Sequence, residues 1–200
     1  DIDLTEDTRE GGKLSLESTV CPQGFGWESI IGFNGSLDGK GHTIKGLYQN
    51  NYLECNIDGA GRKEWNMSGN GLFASAYGDI TIKNLVLDNF DINCTETNDF
   101  RLDRCGALLS NYVADNNDNN DKDEHSAVFE NIVFKNSYIK NTTGRSVSGS
   151  GLFGSISSYY GNVLISNIYL DYEIETKDLN GGAYLLNYIQ GNNVNINNIQ

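Results

Sequence analysis

Positive charge is scarce in this chain, which carries 14 Lys and Arg against 27 Asp and Glu and a net charge of −13 at pH 7. That balance excludes the clustered basic surface on which nucleic-acid backbones bind, and it suits an anionic membrane surface equally badly. Solubility is its plain consequence. Long apolar runs are missing too: no stretch approaches the roughly 18 residues that a membrane-spanning helix needs. The two histidines and four cysteines include no C-x-x-C pair, which removes the usual zinc frameworks. Proline occurs once, at Pro22, and long aliphatic helix formers in amphipathic spacing are few. The chain opens at Asp1-Ile2-Asp3-Leu4, without the basic start and apolar core of a secretion signal. It closes inside a repeat, at Asn198-Ile199-Gln200, so the expectation is a processed or excised piece of a longer protein.

What is present favours strands. Isoleucine, leucine, valine, tyrosine and phenylalanine supply the apolar content, among many asparagines and 23 glycines. Two hundred residues at 38% hydrophobic content suffice for one domain with its own core and do not read as disordered. One short phrase recurs: Ile82-Lys83-Asn84-Leu85, Phe129-Glu130-Asn131-Ile132, Ile165-Ser166-Asn167-Ile168 and Ile196-Asn197-Asn198-Ile199. An earlier copy, Ile44-Lys45-Gly46-Leu47, has glycine in the Asn place. The last four copies each follow a glycine-led apolar strip, beginning at Gly71, Gly106, Gly151 and Gly182. Repetition at this period predicts one small β unit stacked on itself, a solenoid, with the variable spacing taken up by loops.

Near-alternation of apolar residues steps by one at each Asn, which predicts a bend where the inward face is reset. Asparagine tolerates the left-handed backbone such a bend demands. Stacked Asn84, Asn131, Asn167 and Asn198 could also hydrogen-bond side chain to side chain along the stack. The expected organisation is an N-terminal cap over 1–32, then repeats over 33–68 (a first unit with an insertion), 69–103, 104–148, 149–179 and an incomplete 180–200.

The opening stretches resemble a known family. Asp1-Ile2-Asp3-Leu4, the run from Trp27 to Gly32, and Asp38-Gly39-Lys40-Gly41-His42-Thr43-Ile44 are similar to the start of GLUG-repeat regions, and Gly71-Leu72-Phe73-Ala74 and Gly151-Leu152-Phe153-Gly154 look like their signature. The strips at Gly106 and Gly182 lack the second glycine of that signature. The resemblance implies an all-β fold, a right-handed parallel β-helix with irregular loop insertions, on a secreted or cell-surface protein. It brings no catalytic residues with it.

Cys21, Cys55, Cys94 and Cys105 are an even set. In an exported chain this suggests two disulfides; Cys94 with Cys105 would close a short loop and leave Cys21 with Cys55, but three pairings are open and four reduced thiols are the alternative. The acidic stretch 115–124 offers hard oxygens at Asp115, Asn117, Asn119, Asp121 and Asp123, a pattern suited to calcium. It lacks the glycine and final Glu of an EF-hand loop, and a solvated loop is the plainer reading; no other cofactor is expected. His42 sits on a turn without a convergent second group, so a corner residue is expected there rather than an acid–base catalyst. A carboxylate pair of the glycosidase kind is not evident in the phrases. Tyr159, Tyr160, Tyr169, Tyr172, Tyr184 and Tyr188 concentrate towards the C-terminus and could stack on sugar rings or fill core positions. Sequons stand at Asn34, Asn66, Asn93 and Asn141. The functional expectation is a non-catalytic extracellular scaffold, stalk or fibre component. Its partners would be neighbouring domains, further copies of itself, or matrix glycans and proteins. The alternative is a carbohydrate-binding or polysaccharide-cleaving module.

Overall fold

The computed structural model describes residues 1–9, 11–15, 26–51, 70–94, 105–114, 124–141, 150–176 and 184–200. These segments are rich in β-branched and aromatic residues spaced for a half-buried strand, and the backbone is extended through most of them. The strands are β1 (Ile2–Asp3), β2 (Phe33–Asp38), β3 (Thr43–Lys45), β4 (Tyr48–Asn51), β5 (Phe73–Asp88), β6 (Asp91–Cys94), β7 (Cys105–Val113), β8 (Ala127–Asn141), β9 (Ser150–Thr176) and β10 (Leu186–Ile199). They join in one ten-stranded sheet in which every pairing between named strands is parallel. No helix occurs among the described residues, and none is long and apolar enough to cross a membrane.

The pairing register sorts the chain into tiers. Tier 1 holds β2, β3 and β4; tier 2 holds β5 and β6; tier 3 holds β7 and β8; β9 is tier 4 and β10 is tier 5. Strand β1 lies on the far side of tier 1, where Ile2 and Asp3 face Ile44 and Lys45. The glycine strips open the tiers in common register: Asn70 bridges Cys105, and Cys105-Gly106 pair with Ser150-Gly151. Gly71 has φ +97°, and a Cβ there would run into the Gly106 carbonyl, so the glycine answers both a backbone angle and a close approach between tiers. Cys105 through Tyr112 are all buried, which explains why this strip reads as an unbroken run of apolar and small residues rather than as an alternation.

Beyond the strips the strands bend without ending. Strand β9 runs for 27 residues and β5 for 16, and each passes a residue with left-handed backbone: Asn84 at φ +54° and Asn167 at +54°. Asn131 at +55° and Asn198 at +49° do the same in β8 and β10. This angle turns the next side chain inward again, so both Ile82 and Leu85 reach the interior across Asn84. The core is therefore a set of columns: Ile82, Phe129 and Ile165; then Leu85, Ile132 and Ile168; then Leu87 and Phe134; then Ile92 and Ile139. Each such side chain contributes about 1.5–3 kcal/mol by leaving water.

One element of the repeat sits elsewhere than its sequence suggests. Ile44-Lys45 face Leu87-Asp88, and Leu37-Asp38 face Ile82-Lys83. Gly46, at φ +74°, therefore belongs with Asn89 (+56°) and Asn136 (+51°) at a second bend, not with Asn84. The place of Asn84 in tier 1 is taken by the turn over 39–42, where Lys40 and Gly41 both have positive φ and the His42 amide donates to the Gly39 carbonyl. Both stretches read as apolar–basic or apolar–acidic pairs before a turn, and only the register separates them.

Cys94, at the end of tier 2, is bonded to Cys105, at the start of tier 3, and both are buried. Cys21 and Cys55 lie outside the described residues.

Candidate functional site

The residues that unite the tiers form columns on the outside of the bends. Asn84 Nδ2 donates to Asp38 Oδ1 at 3.0 Å, Asn131 Nδ2 to Asn84 Oδ1 at 3.0 Å, Asn167 Nδ2 to Asn131 Oδ1 at 3.0 Å, and Asn198 Nδ2 to Asn167 Oδ1 at 2.7 Å. The column has a direction. Every amide donates towards the N-terminal tier, and the series starts on a carboxylate, a group that only accepts. Donation from Asn84, then from the Lys40 amide, holds the exposed Asp38 carboxyl below its usual range. A second, shorter column runs from Asn136 Nδ2 to Asp88 Oδ1 at 2.8 Å. It stops there because Lys135 and Ser137 face the consecutive residues Asp171 and Tyr172, leaving no residue of β9 opposite Asn136.

Charge is also arranged by tier. Asp3, Lys45, Asp88, Lys135 and Asp171 share one register and alternate in sign over five strands. Lys45 Nζ lies 3.7 Å from Asp3 and Lys135 Nζ 3.8 Å from Asp88. A second series runs Asp38, Lys83, Glu130, with Lys83 Nζ 3.8 Å from Asp38. Exposed pairs of this kind stabilise by about 0–1 kcal/mol each, but skipping one strand in the stack would bring like charges together, Asp3 against Asp88 or Asp38 against Glu130. The sequence reading missed these series because their members are a whole tier apart, and aligning Ile44-Lys45 with Ile82-Lys83 by pattern sets Lys45 against Lys83 instead of Asp88.

Farther along the same face, the Tyr138 hydroxyl donates to Glu175, whose other oxygen lies 2.9 Å from Lys140 Nζ. Hydrogen bonding to the Glu175 carboxylate, aided by desolvation and neighbouring acids, pushes the Tyr138 phenol up to about 12. Glu175 is lowered in return, by Tyr138 first and Lys140 second. Arg9 lies over the Tyr48 ring at 4.2 Å and reaches Asp91 at 3.0 Å, which fixes the first turn of chain to the same face.

The other candidate residues are scattered. Asn34 is exposed, whereas Asn93 is half-buried and its Nδ2 donates to Asn50 Oδ1 at 3.0 Å, an atom a glycan would have to occupy. Asn141 ends β8, and Asn66 lies outside the described residues. So do all five positions of the acidic stretch: Asp115, Asn117, Asn119, Asp121 and Asp123. Among the described residues, no group of three or more His, Cys, Asp or Glu is placed to hold a metal ion. His42 is exposed, with Nδ1 3.3 Å from Asp1 Oδ1. Tyr160, Tyr169, Tyr184 and Tyr188 are exposed. Tyr169 lies opposite Val133 and Tyr188 opposite Ser155, in different registers, so they make no common row. Tyr172 is turned inward between Phe134 and Tyr184 and donates to the Tyr184 carbonyl; burial, then Tyr184, raises its phenol. The side chain of Tyr159 lies outside the described residues.

Comparison with family models, with curated proteins and with solved structures gave no match.

Proposed function

We propose that this chain is a non-catalytic structural module: a right-handed parallel β-solenoid, exported or at the cell surface, that serves as a rigid scaffold or stalk. The observation that carries this reading is the unidirectional column from Asp38 through Asn84, Asn131 and Asn167 to Asn198, which ties five tiers together. Side chains spent on joining one tier to the next give a stiff body with a long lateral surface, not a closed pocket. The resemblance to GLUG-repeat regions belongs to the same reading. The Cys94–Cys105 disulfide fits an oxidising compartment. Neighbouring domains, further copies of the chain, or matrix glycans and proteins are its partners.

The test is incubation of the purified chain with a panel of acidic and neutral polysaccharides, following new reducing ends and unsaturated products. A scaffold leaves every polymer intact. Release of oligosaccharides, abolished by substituting outer-face carboxylates such as Glu173 and Glu175, would replace this reading with the polysaccharide-cleaving one.

A further inference from the structure

Two outward rows run up one lateral face of the stack, between its two bends. In tier 2 this face lies between Asn84 and Asn89, and in tier 3 between Asn131 and Asn136. Leu85, Leu87, Ile132 and Phe134 are buried there, so the alternate residues Val86, Asp88, Val133 and Lys135 point outward. One row is Thr43, Val86, Val133 and Tyr169; the other is Lys45, Asp88, Lys135 and Asp171. Val86 and Val133 are half-buried, and Tyr169 is exposed. Over tiers 1 to 4 the charges of this face cancel, on a chain whose net charge is −13.

We propose that this face packs side by side on the same face of a second copy, with the two stacks antiparallel. The proposal rests on the reading of the chain as a scaffold that meets further copies of itself. A two-fold axis lying along the strands sets tier 1 opposite tier 4 and tier 2 opposite tier 3. Lys45 then meets Asp171 of the other copy, Asp88 meets Lys135, and Val86 meets Val133. Shifted by one tier, Asp88 would meet Asp88 and Lys45 would meet Lys135, and like charges so opposed are unfavourable. A shift of two tiers keeps the charges matched but parts Val86 from Val133. With the stacks parallel, the rows would exchange places and set each valine against a charge. The neutral face is also where two acidic molecules can approach without net repulsion. Four tiers at about 4.8 Å and a width of about 15 Å give on the order of 300 Å² from each copy, against ~800 Å² in a standard interface, so the dimer is weak and forms at high concentration.

Sedimentation equilibrium of the full chain, carried into the millimolar range, measures the dimer. Lys45→Glu brings two acidic groups together at both ends of the contact, and Asp171→Lys brings two basic groups together there. Each variant alone is expected to dimerise about tenfold more weakly, or worse. Mixed in equal amounts, the two variants meet with opposite charges at both ends, and the affinity should return to within about threefold of the original. Both positions are on the outside of the stack, and thermal melts check that each variant is folded. A mixture no tighter than either variant alone would overturn the proposal. So would a single variant that dimerises as well as the original chain, or an original chain that stays monomeric throughout. None of these outcomes touches the scaffold reading, which stands or falls with the polysaccharide assay.

Discussion

Tiers 4 and 5 carry nearly the same phrase, Ile165-Ser166-Asn167-Ile168 and Ile196-Asn197-Asn198-Ile199, in the same register, yet they differ in what surrounds them. Ile165 and Ile168 are 0% and 1% exposed; Ile196 and Ile199 are 42% and 36% exposed. Backbone conformation does not differ, since Asn167 and Asn198 have φ of +54° and +49°. Burial in this protein is thus a property of having a tier on each side, not of the phrase. The asparagine secures the bend, and the stack secures the core.

The largest contrast should come from truncating the paired isoleucines. Ile165→Ala is expected to cost about 2–5 kcal/mol, because the neighbours on both sides cannot collapse into the cavity. Ile196→Ala should cost about 1 kcal/mol or less, since its side chain is already partly in water. Urea denaturation of both variants checks this, and equal losses would remove the distinction between inner and end tiers. Next in size is the bond between tiers 2 and 3. Replacing Cys94 and Cys105 by Ser should cost about 3 kcal/mol, the loop-closure value for a bridge of this span, if the reduced chain folds as before. Denaturation with and without reductant gives the figure.

The asparagines sharpen the comparison further. Asn131→Ala forces a left-handed backbone angle onto alanine and breaks two column bonds, at about 1–3 kcal/mol in all. Asn131→Gly keeps the angle and loses only the bonds, so the difference between the two variants separates bend from column. Asn198→Ala, with one column bond among the described residues, should lose less than Asn131→Ala. Thermal melts of the three variants rank them.

The smallest effects are those of pH. Asp38 and Glu175 are depressed in the folded state, so their contribution is present above the unfolded carboxyl values, near pH 4, and is lost as pH falls through the folded ones. Tyr138 is raised to about 12, so its contribution is present below pH 10 and lost as pH rises towards 12. Denaturation across pH should show a shallow loss at each end, and Tyr138→Phe should lessen the alkaline one, to which the raised phenols of Tyr172 and Tyr48 also contribute.

Much of the fold was legible in the residues themselves. The recurring Asn announces a bend because few other side chains accept left-handed backbone, and the glycine strips announce close approach between tiers. The register was not legible where two positions share one pattern: Gly46 follows an Ile-Lys pair just as Asn84 does, yet it belongs to the bend of Asn89 and Asn136. The charge series from Asp3 to Asp171 was hidden for a related reason. It is written across tiers whose lengths vary, so no fixed spacing in the chain reveals it, and only cross-strand pairing assembles it.

Native-state amide hydrogen exchange along the chain tests the central claim most directly, because it reads the stability of each tier in one molecule. If stacking makes the core, Ile132 to Ile139 in β8, with tiers on both sides, should exchange far more slowly than Val194 to Ile199 in β10. Equal protection in the two strands, or greater protection in β10, would contradict it.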